Sequence, residues 1–155
     1  MSVCEIIPGL WLGNINIAKN NEFFTIYNIN TIINCSTDIP FYSNYTKNIR
    51  ISVNDNLKKF EIDRMFDYLD KACNLIHEKL LNSESILVHC FAGKQRSATL
   101  VCAYLMKYGN MSLGVAIQSI KSKRDVIFTP AINFKNALLK YEQFLNYTEF
   151  DSIEE

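Results

Sequence analysis

The sequence is short of the residues that mark linkers, secreted frameworks and charged tails. It has five glycines and three prolines in 155 residues, with no Pro- or Gly-rich stretch, no internal repeat and no long charge block, so no internal domain boundary is marked. Charge of either sign is not in excess: Lys+Arg and Asp+Glu both total 16. That balance predicts no nucleic-acid partner and no polybasic membrane patch, and any anion site must be built from a few focused groups. No apolar run approaches the roughly 18 residues of a membrane span, which predicts no membrane anchor. The start, Met1-Ser2-Val3-Cys4-Glu5, has neither the basic nor the apolar part of a secretory signal. Five cysteines at positions 4, 35, 73, 90 and 102 are an odd set without C-x-x-C spacing, which points away from a disulfide framework and from a zinc site. A reducing compartment is expected, cytoplasmic with the nucleus also open.

What is present suits one globular domain with a substantial core, 48% hydrophobic and 21% charged. The expected domain runs 1–147, followed by a short acidic tail, 148–155. Ile6 to Gly13 reads as two extended pieces around Pro8-Gly9, and residues 16–28 carry helical spacing. Thr31–Ser36 and Ile49–Val53 read as strands, the second followed by a polar loop at Asn54-Asp55-Asn56. Ile62, Met65, Phe66, Leu69, Cys73, Ile76 and Leu80 make one apolar helical stripe, which is core packing. Ser85–Val88 is a buried strand, Ser97 to Lys107 a central helix, and 112–123 and 131–146 two amphipathic helices. The alternation predicts an α/β fold with a central, mostly parallel sheet of about 4–5 strands flanked by helices.

Chemistry concentrates in Val88-His89-Cys90-Phe91-Ala92-Gly93-Lys94-Gln95-Arg96-Ser97. A Cys ends a strand, five residues separate it from an Arg, and a helix begins there. Strand, tight loop and helix together form an anion site, because loop amides converge and the helix N-terminus adds partial positive charge. Gly93 permits so small a ring. A thiol is a strong nucleophile only as thiolate, a form that helix N-termini and neighbouring cations favour, and Cys90 has both beside it. Arg96 can present a planar fork to two phosphate oxygens, and Ser97 can donate a hydrogen bond to the sulfur when it leaves. These parts fit phosphoryl transfer through a cysteinyl-phosphate.

His89-Cys90-x5-Arg96-Ser97 resembles the signature of the protein tyrosine phosphatase superfamily. Glu5-Ile6-Ile7-Pro8, Leu10-x-Leu12-Gly13, Ile33-Asn34-Cys35-Ser36, Ile51-x-Val53-x-Asp55-Asn56 and Ala103-Tyr104-Leu105-Met106 extend the likeness to dual-specificity phosphatase catalytic domains, especially those of MAP kinase phosphatases, over residues 5–145. The resemblance implies the dual-specificity phosphatase fold, a loop of Phe91, Ala92, Gly93, Lys94, Gln95 and Arg96 around the phosphate, and no metal or other cofactor. It also implies a mobile Asp as general acid and base, matched by Asp55; Asp63, Asp67 and Asp70 compete but fall on the amphipathic helix, where a solvated face is the plain reading. Only 89 residues precede Cys90, which leaves no room for pocket-deepening loops, so the resemblance implies a shallow pocket and a phosphorylated-protein substrate, through phosphotyrosine and phosphoserine or phosphothreonine; a kinase-docking domain has no room either, so MAP kinases are not implied as that substrate. Lys94 raises a lipid phosphatase acting on phosphoinositide or phosphatidylglycerophosphate as the alternative, with a phosphoprotein-binding pseudophosphatase as the other.

Neighbouring residues carry plainer expectations. His89 is expected behind the loop, holding it, and Phe91 and Lys94 at the rim. Asn34 is expected to support the loop or merely end a strand, and His77 to be structural or solvated. Cys35 and Cys102 are candidate disulfide partners for Cys90. Arg124, Ile127, Pro130 and Phe134 resemble a rim stretch of the family in which Ala131 replaces an Asn.

Overall fold

The structure, a computed structural model, describes residues 2–154, with side chains described for 2–148. Strands β1 (Val3–Ile7) and β2 (Leu10–Gly13) form an antiparallel hairpin around Pro8-Gly9. Strands β3 (Ile29–Asn34), β4 (Lys47–Arg50) and β5 (Ser85–His89) complete a five-stranded sheet in the order β1-β2-β5-β3-β4, in which every pair but the first is parallel. Strand β5 is central, and Gly13, Asn34 and His89 lie in register at the carboxyl ends of β2, β3 and β5. Open parallel sheets bind ligands in the crevice beyond this edge.

Alternation along the strands divides the core. Ile86 and Val88 join Leu10, Leu12 and Ile33 on one face of the sheet, whereas Leu87 joins Trp11 and Ile32 on the other. The first face carries α3 (Lys59–Leu81), α4 (Arg96–Tyr108), α5 (Leu113–Lys121) and α6 (Lys135–Glu154). The predicted stripe of α3 is buried at Met65, Leu69, Cys73 and Ile76. Helix α4 is buried without interruption from Ser97 to Met106, so it is a central helix.

Four boundaries differ from the sequence reading. Residues 16–28 form two short helices, α1 (Ile15–Ala18) and α2 (Asn21–Ile26), because Asn20 Oδ1 accepts the Phe23 amide at 3.0 Å and starts the second afresh. Strand β3 begins two residues before Thr31 and stops at Asn34, so Cys35 and Ser36 belong to the following turn. Strand β4 ends at Arg50, and the buried Ile51 and Val53 instead carry the chain out of the sheet, the Val53 amide donating to Ile51 O. Helix α6 starts at Lys135 because residues 129–133 are held by Gln95, and its backbone continues through Glu154, taking in most of the expected tail.

Candidate active site

Residues 90–96 leave β5 and enter α4 as a tight loop. Every carbonyl from Cys90 to Gln95 accepts a hydrogen bond. His89 Nδ1 lies 3.3 Å from Cys90 O, and since a carbonyl only accepts, that nitrogen carries the proton. Ile15 N donates to Phe91 O (2.9 Å), and the buried Arg124 donates to Ala92 O (3.3 Å) and Gly93 O (2.9 Å). Phe128 N donates to Lys94 O (2.8 Å), and Thr99 donates to Gln95 O through both N (2.8 Å) and Oγ1 (2.7 Å). Among the described residues no amide of 91–96 has a protein acceptor, and α4 starts without a side-chain cap. Carbonyls held from behind and free amides in a ring make an anion cradle.

Gly93 makes this closure possible. Its φ is +67°, and a Cβ there would stand 2.6 Å from Gly13 O and 2.7 Å from Arg124 Nη2. Cys90 is buried, and its Sγ lies 3.1 Å from the buried Ser97 Oγ. Arg96 Nη1 donates to Val53 O at 3.0 Å, and its buried Nε has no partner among the described residues, so it is open to an oxygen acceptor. His89 is buried and held neutral: burial above all, with Arg50 and Arg96 adding to it, lowers its pKa to about 4 despite the Cys90 carbonyl bond. Among the described residues its side-chain hydrogen bond is to the Cys90 carbonyl, on the loop's own backbone.

Asp55 lies on the exposed segment after Val53 and lines one hollow of about 410 Å³ with Cys90, Arg96 and Asn133. Four contacts tether this segment, the first from Thr37, whose Oγ1 donates to Asn54 Oδ1 at 2.8 Å. The fully buried Glu61 accepts the Asn54 amide at 2.9 Å, Asn133 Nδ2 donates to Asp55 Oδ1 at 2.9 Å, and Arg96 holds Val53 O. Leu57, exposed, has φ +66°, a left-handed conformation that costs a non-glycine residue about 1–2 kcal/mol. The competing aspartates lie elsewhere: Asp63 pairs with Lys59 (2.6 Å), Asp70 with Lys107 (2.8 Å), and Asp67 is an exposed residue of α3.

Gln95 is more than a loop amide. Its side chain donates to Ala131 O (2.8 Å) and accepts Asn133 N (3.0 Å), joining the loop to the segment that touches Asp55. Asn133 thus stands at the site although Ala131 occupies the position where the resemblance placed an Asn. Asn133, Arg124 in its buried role and Glu61 escaped the sequence reading; only the Arg…Pro…Phe stretch hinted at the first two. Asn34 does not reach the loop; it donates to Ile39 O (2.7 Å) and accepts Ser36 Oγ (2.6 Å), folding the turn after β3. His77 bonds Tyr104 OH (3.1 Å) and stacks on Tyr108, within the helical layer. Phe91 is 61% exposed and Lys94 half-buried at the rim. Burial raises the Cys35 thiol pKa well above its usual value, and the adjacent Cys90 charge raises it further; Cys102 instead neighbours Cys73 and Glu142. All five cysteines are free.

Comparison with known proteins agrees with this arrangement. Residues 10–144 match the family described as dual specificity phosphatase, catalytic domain. The chain is 35% identical over 148 residues to "Putative tyrosine phosphatase 123R" of Invertebrate iridescent virus 6, covering 96% of this chain and 97% of that protein. It is 33% identical over 147 residues to human dual specificity protein phosphatase 8, covering 94% of this chain but only 23% of that protein, so it spans about a quarter of that relative's length. Its fold superposes on the crystal structure of human DUSP28 with a TM-score of 0.85 at 27% identity, covering 94% of this chain and 96% of that one.

Proposed function

The chain belongs to the dual specificity phosphatase family, and we propose that it hydrolyses phosphotyrosine and phosphoserine or phosphothreonine in proteins through a cysteinyl-phosphate on Cys90. The observation that carries the reading is the loop itself: six outward carbonyls leave the amides of 91–96 free around a buried sulfur. The amides and Arg96 Nε bind three phosphate oxygens, and Cys90 reacts as its thiolate. Sulfur attacks phosphorus as the ester P–O bond breaks, and Asp55 passes its proton to the departing oxygen. The Asn133 bond to Oδ1 leaves Oδ2 to carry that proton. Asp55, now a carboxylate, takes a proton from the water that attacks phosphorus, the S–P bond breaks, and Ser97 Oγ stabilises the leaving sulfur. Inorganic phosphate and free enzyme result.

No step needs a metal, because amides and a guanidinium neutralise the oxygens. A half-buried Lys94 beside the loop is the feature that favours a phosphoinositide or phosphatidylglycerophosphate instead. Side-by-side rates on phosphopeptides, these lipids and a small aryl phosphate test the assignment. Protein substrate predicts faster peptide turnover and no turnover of anything by Cys90→Ser. A much higher rate on lipid would overturn the substrate class, and unchanged hydrolysis by Cys90→Ser would overturn the mechanism.

A further inference from the structure

Two hollows meet at the active-site loop, sharing Asp55, Phe91 and Arg96 as walls. The larger, about 600 Å³, runs from Arg96 and Phe91 past Ile15, Ile39 and Pro40 to Asp38. We propose that this second hollow receives a Lys or Arg side chain flanking the phosphorylated residue of a singly phosphorylated protein substrate. The inference rests on the phosphatase reading of Cys90 and goes beyond it by naming the sequence around the phosphate.

The chemistry of the walls selects the occupant. Ile15, Ile39, Pro40 and the exposed Phe91 ring give the hollow its apolar lining, Asn54 and Asn56 add polar groups, and Asp38 places a carboxylate in its wall besides that of Asp55. Asp38 is exposed and, among the described residues, has neither an ion pair nor a hydrogen bond for its carboxylate. The turn presenting it is well fixed. Asn34 Nδ2 donates to Ile39 O (2.7 Å), Ile39 N to Ser36 Oγ (3.1 Å), and Arg50 to both Ser36 O (3.0 Å) and Ile39 O (2.7 Å). Arg50 is thereby engaged with carbonyls beneath the turn. Lys and Arg carry an aliphatic stem under a cationic head, so the stem fits the apolar lining while the head meets Asp38 and the Phe91 ring.

The same walls reject a second phosphate. Among the described residues Arg96 is the only cation lining this hollow, and in the proposed mechanism it is committed to the oxygens of the reacting phosphate. A further anion there would face Asp38 and Asp55 with no partner of its own, and like charges brought together disfavour binding. The hollow therefore separates singly phosphorylated, basic segments from doubly phosphorylated ones.

A panel of phosphotyrosine peptides identical except at the flanking positions, carrying Lys, Leu, Glu or phosphothreonine, tests this directly. The wild-type kcat/KM for the Lys peptide should exceed that for the Glu peptide by about tenfold, the size expected of one exposed ion pair plus a cation–π contact. The phosphothreonine peptide should be slowest. Asp38→Lys should invert the Lys-to-Glu ratio. Equal wild-type rates across the panel, or a ratio unmoved by Asp38→Lys, would overturn the subsite and leave the phosphatase reading standing. Failure of the wild type on every peptide and on a small aryl phosphate would overturn both.

Discussion

The active-site loop and the Asp55 segment face each other across one hollow and are built on opposite plans. Residues 90–95 have every carbonyl fastened from behind, by three backbone amides, the side chains of His89 and Thr99 and a buried arginine. Residues 54–57 are exposed, include a left-handed leucine, and are held to the rest of the protein by single side-chain hydrogen bonds with Thr37, Glu61 and Asn133. Under the proposed mechanism the difference follows from two tasks. Oxyanion stabilisation works through donors already aimed before charge develops, so the cradle must be rigid. A general acid must reach a leaving oxygen and then a water, and a lightly tethered segment can do both.

If that contrast holds, damage to the two regions separates by substrate. Asp55→Asn should lower kcat on phosphotyrosine peptide by about 10²–10⁴-fold with KM little changed, and far less on an aryl phosphate whose leaving group needs no proton. Gly93→Ala should lower activity by about a hundredfold, because a Cβ 2.6 Å from Gly13 O displaces the cradle. Its loss should be equal for both leaving groups and should be matched by weaker inhibition by inorganic phosphate. Asn133→Ala should follow the Asp55 pattern at about tenfold and add nothing in an Asp55→Asn background. A loss independent of leaving group, persisting in that background, would make Asn133 structural rather than a tether of the acid.

The rigid side also leaves a mark in stability. The His89 pKa in the folded protein, about 4, lies below the unfolded value of 6.5, so the unfolded chain takes the proton first. Its contribution is therefore complete above pH 6.5, falls as pH drops and levels off below about 4. Between pH 7 and pH 5 urea denaturation should show a loss of about 2 kcal/mol from this residue. The loss should be absent from His89→Asn when the two proteins are compared at both pH values. An equal pH slope in both would show that His89 is not the group responsible.

Legibility in the sequence divides along the same line. The loop is contiguous, so Cys90, Gly93, Arg96 and Ser97 could be read together as one candidate site, and the mostly parallel sheet followed from strands alternating with helices. What holds the cradle is remote in sequence. Arg124 and Phe128 arrive from beyond α5, Ile15 from α1, and no local pattern announces that these donors converge. Asp55 could be matched only by resemblance, and its tethers Glu61 and Asn133 look like ordinary helix-start and loop residues until the chain is folded. Asn34 shows the reverse, a residue beside the motif strand whose side chain serves a neighbouring turn instead.

Rapid quenching in acid during turnover of an aryl phosphate, followed by peptide mass spectrometry, tests the central claim most directly. The account predicts one phosphoryl group on the peptide containing Cys90 in the wild type, and none in Cys90→Ser. A phosphoryl group on any other residue, or full turnover with Cys90 never modified, would contradict it.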